Sequence, residues 1–482
     1  MIPAKNISPE SHVVDILGST KGRDQPVMLV GRALQLATCI TKSALLDQNT
    51  VFLDPFCKAG EIILATALWS CVVNKGRAKP LASQEEVAQE LYGGRYFALA
   101  PDQRHFLLTR RTFYGNEKSH DDAFATHIRN GNYLSEIDGR LNEGKFKEEL
   151  NAMIEFIKRT KPSCRIVAIG NPPYQEADGG HGASAKLIYP HFIEHMIDSN
   201  QIDEFVLVIP SRWFSGGKNL GNFRARMMES NQIRTIHYFE KSEEVFPAVQ
   251  IKGGVCFLQW SKSYQGKPSF VYGDSTITIK LERFDVIPDD PKSPSIILKI
   301  LDNSGSFVSD IAWSGKPFGL RTFHFKRNSG ADQNSENAIL CYTTGRVVKY
   351  IDRDLITKNA DKIDNYKVVA PRAYGKGMKR CTLPKDQIFI LGKGEISTET
   401  YNVIGCFSTK AEAERFKSYL QTDFARYVLG LRKLTQDIPK DRWNWVPLMD
   451  ASKTWTDADL FDFFGLTKTE REHIRKKVQE WS

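Results

Sequence analysis

The sequence predicts an α/β fold: an open, mainly parallel sheet within residues 1–285, followed by a mixed α+β domain over residues 286–482. Three observations carry that expectation. Apolar runs of strand length at Thr50–Asp54, residues 95–100, Arg165–Gly170 and Glu204–Pro210 alternate with helical runs such as residues 61–73 and Gln103–Tyr114, the order of βαβ units in a parallel sheet. The runs at Arg165–Gly170 and Glu204–Pro210 stop at proline, which fixes φ and cannot donate to a ladder. Residues 286–294 hold three prolines and two aspartates and read as a linker to a second domain.

The first element of interest is the turn after Arg165–Gly170, with the sequence Asn171-Pro172-Pro173-Tyr174. It presents an amide and an aromatic ring at a strand's C-terminal edge, where open parallel sheets place their ligands. Methylation of an exocyclic amino group on a base suits this arrangement. Such a nitrogen is a poor nucleophile because its lone pair is delocalised into the ring. Two acceptors, Asn171 Oδ1 and the Pro172 carbonyl, would draw it toward sp3 geometry. Tyr174 offers a flat face for a base turned out of a duplex, and stacking contributes about 1–3 kcal/mol per base.

The second element lies upstream, where Thr50–Asp54 passes through Pro55-Phe56-Cys57-Lys58-Ala59-Gly60 into the helical run 61–73. A short glycine-containing turn between strand and helix lets backbone N–H groups approach a ligand closely. Farther on, Asp102 follows the strand run 95–100 and is equally readable as the N-cap of Gln103–Tyr114. Asn130-Gly131-Asn132 reads as a β-turn.

Taken in this order, the motifs resemble the gamma-class N6-adenine DNA methyltransferases of restriction-modification systems, and the resemblance runs over most of the chain. Asn171-Pro172-Pro173-Tyr174 is similar to the family's catalytic motif IV. Asp54 to Gly60 resembles the motif I turn that holds S-adenosyl-L-methionine. The resemblance implies a Rossmann-like methyltransferase domain at 1–285, a DNA target-recognition domain with a helical C-terminal tail at 286–482, and base flipping. It assigns the catalytic role to Asn171, Pro172, Pro173 and Tyr174, and cofactor contacts to Asp54, Pro55, Phe56, Gly60, Asp102 and Asn132. Phe246 matches the aromatic that closes the other face of the flipped base. Three departures stand out. Lys58-Ala59 occupies positions where a Gly-Ser pair is common, Ala100 stands where an acidic residue is usual, and asparagines stand at 130 and 132 where an aspartate is common.

For the nucleic acid itself, Arg212 after the strand Glu204–Pro210 and the basic stretch containing Arg372, Lys376, Lys379 and Arg380 are the expected phosphate contacts. Residues 286–482 carry about 32 Lys+Arg against about 25 Asp+Glu, so most of the net charge of +9 is C-terminal, the footprint expected of a DNA-binding part. Glycines at 179, 180 and 182 are expected to wrap the bound strand. Glu143-Gly144-Lys145 reads as a surface turn rather than part of a nuclease, residues 409–431 as one helix, Thr467 to Glu470 as a capping box, and residues 244–260 as a terminal β-hairpin.

Composition fits a cytoplasmic enzyme. No apolar run approaches the roughly 18 residues of a membrane span, and the N-terminus lacks a signal-peptide core. The eight cysteines are scattered with no CxxC pair, which speaks against zinc and disulfides. The expected partner is double-stranded DNA, with a separate restriction endonuclease subunit left open. A catalytically silent DNA-binding or specificity subunit, and a methyltransferase acting on cytosine N4 or RNA, remain as alternatives.

Overall fold

The computed structural model describes residues 28, 30–77, 82–114, 123–137, 139–176, 186–216, 219–247, 249–251, 253–313, 315–327, 330–375, 381–433 and 436–482. The chain divides into two units, Met1–Ile287 and Pro288–Ser482.

In the first unit the strands are β1 (Thr50–Asp54), β2 (Tyr96–Ala100), β3 (Ile128–Asn130), β4 (Arg165–Gly170), β5 (Glu204–Pro210), β6 (Ile233–Phe239), β7 (Val255–Ser261), β8 (Ser269–Tyr272) and β9 (Ser275–Thr278). They form one sheet in the order β3-β2-β1-β4-β5-β7-β6-β8-β9. The five strands from β3 to β5 are mutually parallel, and β7 runs antiparallel to both β5 and β6. Every residue of β1, β2, β5 and β7 is buried, as expected of strands covered on both faces. Helix Val30–Thr38 supplies part of that cover, burying Ala33, Leu36 and Ala37 at the spacing of one helical face.

Chain order sets the place of the site. From β1 the chain moves to β2 and β3 on one side, then returns to β4 on the other. The strand order therefore reverses between β1 and β4, and the crevice at their C-terminal ends is the topological switch point where such sheets bind ligands. The predicted hairpin at 244–260 is corrected: β7 is its one strand, inserted between β5 and β6. Glu143-Gly144-Lys145 is not a surface turn. It opens the helix Glu143–Thr160, because Asn142 caps it by accepting a hydrogen bond from Lys145 N at 3.0 Å, and the helix buries Phe146, Leu150, Met153, Ile154 and Ile157 on one face.

The second unit has β10 (Ala338–Tyr342), β11 (Val348–Asp352), β12 (Tyr366–Pro371), β13 (Phe389–Leu391), β14 (Glu395–Ser397) and β15 (Tyr401–Phe407), in two three-stranded sheets, β11-β10-β14 and β13-β12-β15. Lys367 at the start of β12 is fully buried. Its Nζ donates to the carbonyls of Ile363, Asn365 and Gly392 at 2.7–2.8 Å, so it braces two turns where a surface lysine would be solvated. The expected helix 409–431 is two helices, Lys410–Leu420 and Asp423–Arg432. The break lies at Thr422, whose backbone is extended and whose hydroxyl caps the second helix at Ala425 N. The capping box is present: Thr467 Oγ1 accepts from Glu470 N and Glu470 Oε2 accepts from Thr467 N. Trp443, Trp445, Phe461 and Phe464 are core residues, while Phe463 is exposed. No helix among the described residues is long and apolar enough to cross a membrane.

Asp290, near the start of this unit, is tied to the last helix. Both its carboxylate oxygens face His473 Nε2, at 2.8 and 3.0 Å, and Oδ1 also accepts from Lys292 N and Ser293 N. Burial raises the carboxyl's pKa, but the hydrogen bond and charge of His473 more than offset this and hold it below the ordinary range. A depressed folded-state pKa stabilises above the unfolded value, about 4, and that contribution is lost as pH falls through the folded value. Asp290→Asn is therefore expected to destabilise the protein by about 1–3 kcal/mol at neutral pH. Its gap from the unsubstituted protein in thermal unfolding should close as pH falls below about 4. A gap unchanged across that range would show that the charge contributes nothing.

Candidate active site at the sheet's switch point

The turn leaving β1 is held from three sides. Asp54 Oδ1 accepts from Phe56 N at 2.9 Å, Cys57 N donates to the Leu99 carbonyl at 3.1 Å, and the buried Tyr133 hydroxyl donates to the Pro55 carbonyl at 2.7 Å. Gly60 closes the turn at φ +84°, and a Cβ there would stand 2.7 Å from the Phe113 ring, so both conformation and space call for glycine. The Phe56 ring packs against Phe146 and Phe192. It is a core side chain.

Four ionisable side chains surround this turn, each between 2% and 4% exposed: Asp54, Lys58, Glu61 and Asp102. Glu61 accepts from Ala59 N at 3.2 Å and Met28 N at 3.4 Å. Burial pushes the Asp54 carboxyl up to about 8 and raises that of Glu61. Burial also pushes the Lys58 ammonium down to about 8, against the pull of Glu61, Asp54 and Asp102. Asp102 lies just beyond β2, and its two oxygens accept from His105 N at 2.8 Å and meet His105 Nδ1 at 2.6 Å. The capping geometry at the start of Gln103–Tyr114 is thus realised.

The turn leaving β4 is the neighbour of this one. Leu53 of β1 pairs with Ala168 of β4, and a Cβ on Gly170 would stand 2.7 Å from Asp54 Oδ1 and 3.0 Å from the Phe56 ring. Asn171, Pro172, Pro173 and Tyr174 follow, all buried, with Asn171 1% exposed. Residues 174–176 are pinned by a short antiparallel bridge to 186–188, through Ile188 N to the Tyr174 carbonyl and Glu176 N to the Lys186 carbonyl, both 3.0 Å. Tyr189, beginning the helix Tyr189–Asp198, lies fully buried behind that bridge. The hydroxyls of Tyr174 and Tyr189 are buried without a hydrogen-bond partner among the described residues.

Phe246 is brought to the same place. Its ring meets Tyr174 edge-on, centroids 6.4 Å apart at 73°, so the two rings touch rather than stand as parallel walls. Arg212 is exposed in the turn Ser211–Phe214 after β5, the strand beside β4. Asn132, past β3, is exposed at φ +45° and borders a cavity of about 340 Å³ with Tyr133, Ser135 and Arg140. Arg372 is exposed just past β12 in the second unit. Lys376, Lys379, Arg380 and the glycine stretch at 179–182 lie outside the described residues.

Tyr133, Glu61 and Tyr189 are buried neighbours of the two turns that sequence reasoning did not assign to the candidate site, and Lys58 was noted only as a departure from the resembled motif. Tyr133 follows the Asn-Gly-Asn turn directly, and its contact crosses 78 positions of chain. Lysine and glutamate at a turn ordinarily mean solvent, and nothing local marks these two as buried.

The turn Asp54–Gly60 and the turn Asn171–Tyr174 thus lie side by side at the switch point, the first holding buried carboxyl groups and the second a buried amide and the Tyr174 ring, which meets Phe246. A curated protein of Mycoplasma pneumoniae described as an uncharacterized adenine-specific methylase is 36% identical over 104 residues, 21% of this chain. The match spans 24% of that relative's length. Among solved structures, the chain is similar to a nuclease-deletion mutant of the Type ISP restriction-modification enzyme LlaGI in complex with a DNA substrate mimic, with 10% identity, TM-score 0.47, and coverage of 99% of this chain and 49% of that one. It is also similar to the Type IIL restriction-modification enzyme MmeI in complex with DNA, with 13% identity, TM-score 0.41, and coverage of 86% and 64%. Residues 95–246, a span that runs from the start of β2 to Phe246 and includes Asn171–Tyr174, match the family model described as Eco57I restriction-modification methylase.

Proposed function

We propose that the chain is a site-specific DNA adenine-N6 methyltransferase of a restriction-modification or phage-defence system, using S-adenosyl-L-methionine as methyl donor and duplex DNA as substrate. The observation that carries the reading is the adjacency at the switch point: the Asp54–Gly60 turn and the Asn171–Tyr174 turn leave neighbouring parallel strands, with Gly170 packed on Asp54. Burial opposes the charge of Asp102, but its hydrogen bonds to His105 hold the carboxyl below its ordinary range, so within the buried set Asp54, Glu61 and Asp102 it is the anion suited to a cationic cofactor. When bound, S-adenosylmethionine supplies an electrophilic methyl group on a sulfonium that departs as a neutral thioether.

The chain's own residues then have distinct tasks. Asn171 Oδ1 and the Pro172 carbonyl accept hydrogen bonds from the two N–H groups of the adenine amino group and turn its lone pair toward the methyl, a gain of positioning. As the N–C bond forms and the S–C bond breaks, the methylated nitrogen becomes cationic and sheds one N–H proton to solvent. Tyr174 stacks on the flipped base, and Phe246 covers it once the two rings part. Gly60, Pro55 and the Phe56 backbone border the cofactor. Asp102 reaches the ribose through lone pairs that His105 leaves unused, and Asn132 lies on the adenine side. Arg212, Arg372, Lys376, Lys379 and Arg380 contact phosphates, with residues 286–482 as the target-recognition part. A separate restriction endonuclease subunit is compatible with this reading.

Long-read sequencing of DNA from cells expressing the chain, beside its Asn171→Ala version, tests the reading. Methyladenine at one sequence motif, absent with the variant, is the expected result. Unmodified DNA in both samples, with the protein present and folded, would overturn it.

A further inference from the structure

The hairpin formed by β10 and β11 in the second unit ends in six consecutive exposed residues, 344–349. They include two exposed valines, Val347 at 52% and Val348 at 39%, two cations, Arg346 and Lys349, and no carboxylate. The tip is nevertheless pinned. Gly345 and Arg346 both have positive φ, +70° and +62°, a conformation uncommon for a side chain such as arginine. Arg346 N donates to the Tyr401 hydroxyl at 3.0 Å, and its guanidinium lies over the Phe389 ring, 4.5 Å from the centroid. One of its N–H groups donates to the Asp386 carbonyl. Phe389 of β13 and Tyr401 of β15 meet edge-on with centroids 5.1 Å apart, so the arginine rests on a fixed aromatic platform. Four of its five N–H donors remain. Stacking holds the planar fork in one orientation at the surface.

The tip continues into a polar patch. Thr344 Oγ1 lies 3.4 Å from Thr400 Oγ1, which lies 3.1 Å from Thr322 Oγ1. The Thr400 carbonyl accepts from Arg372 N at 2.8 Å, and Arg321 precedes Thr322. Both arginines are exposed. The carboxylate of Glu399, beside Thr400, accepts from Thr322 N at 2.7 Å. What faces solvent is therefore an oriented guanidinium, hydroxyls and methyl groups at the centre, with Arg321 and Arg372 at the flank.

We infer that the β10–β11 hairpin tip is the sequence-reading edge of the second unit, entering the major groove of duplex DNA with Arg346 paired to a guanine. The inference rests on the DNA-methyltransferase reading above and deepens it. A two-stranded ribbon fits the major groove, where guanine presents two acceptors, O6 and N7, matched by the arginine fork. Threonine hydroxyls can meet either donors or acceptors there, and valine methyls suit the methyl group of thymine. Phosphates along the groove take the flanking cations, which position the duplex without reading it. Arg346 is in these terms a specificity-determining residue, and its pinned backbone and stacked side chain place the fork before the duplex arrives.

Long-read sequencing of DNA from cells expressing the full chain, beside its Arg346→Gly and Arg346→Lys versions, reads the methylated motif directly. Glycine accepts the left-handed backbone and removes the guanidinium, whereas lysine keeps the charge and loses the paired donors. The unsubstituted chain should methylate adenine within one motif. Both variants should still methylate, with the motif relaxed at one G·C pair and the preference for that pair reduced about tenfold or more. A motif unchanged in both variants overturns the inference and leaves the methyltransferase reading intact. Relaxation with Arg346→Gly that Arg346→Lys restores in full also overturns it, because a point charge would then suffice. So does relaxation at an A·T pair, which offers no guanine to the fork. Loss of methylation at every sequence alike, in variants that keep their unfolding temperature, overturns it as well, since a base reader discriminates among sequences. Unmodified DNA with the unsubstituted chain, present and folded, overturns the methyltransferase reading and the inference together.

Discussion

Asn171→Ala is expected to lower the rate constant for methyl transfer by about 10²–10³-fold, the usual cost of removing one preorganised polar group aimed at a reacting centre. Affinity for S-adenosylmethionine should stay within about twofold, since only differential interactions with the transition state change the chemical step. The side chain follows β4 directly and is buried, and the turn is locked by two prolines and by the bridge from 174–176 to 186–188. An amide so held loses little motion when the base arrives, and its value lies in being in place beforehand. Single-turnover methylation of a duplex carrying the recognition motif, with an equilibrium titration of the cofactor, separates the two parameters. Loss of cofactor binding equal to the loss of rate would instead mean that Asn171 supports the crevice and does not act on the amino group.

The same residues show how far a single sequence can be read. Strand runs and their order were legible because buried parallel strands are nearly uniform in hydrophobicity, and the proline stop after β4 marked an edge. Legible too was the pairing of a glycine turn after β1 with an amide turn after β4. What was not legible depends on chain-distant contacts. Asp54 could be picked out as the start of the glycine turn, but its packing against Gly170, more than a hundred positions later, could not. Tyr133 reads as a residue after a turn, and only the fold brings its hydroxyl to Pro55. Lys58 carries the opposite of its local signal, a charge that ends up buried. Residues 409–431 failed for another reason: apolar periodicity continues through Thr422, whereas the backbone does not, and a threonine able to cap gives the only local hint.

Gly170→Ala is expected to damage both turns at once. The added Cβ would stand 2.7 Å from Asp54 Oδ1 and 3.0 Å from the Phe56 ring, and neither neighbour has slack. Asp54 is at the buried end of β1 with that same oxygen engaged by Phe56 N at 2.9 Å, while Phe56 is wedged against Phe146 and Phe192. Overpacking of such a site costs about 1–3 kcal/mol. Relief by sliding β4 away from β1 would carry Asn171 with it, and a displacement of about 1 Å at a reacting group can cost about 100-fold in rate. Activity should therefore fall much more than stability. A double-mutant cycle with Asp54→Ala decides where the strain resides. Removing the carboxylate should relieve much of the collision, so the stability cost of Gly170→Ala should shrink in the Asp54→Ala background, with a coupling of about 0.5–3 kcal/mol. Strictly additive costs would place the strain in the Phe56 ring or the β4 backbone. The contact between the two turns would then be a packing boundary rather than the point at which one turn sets the position of the other.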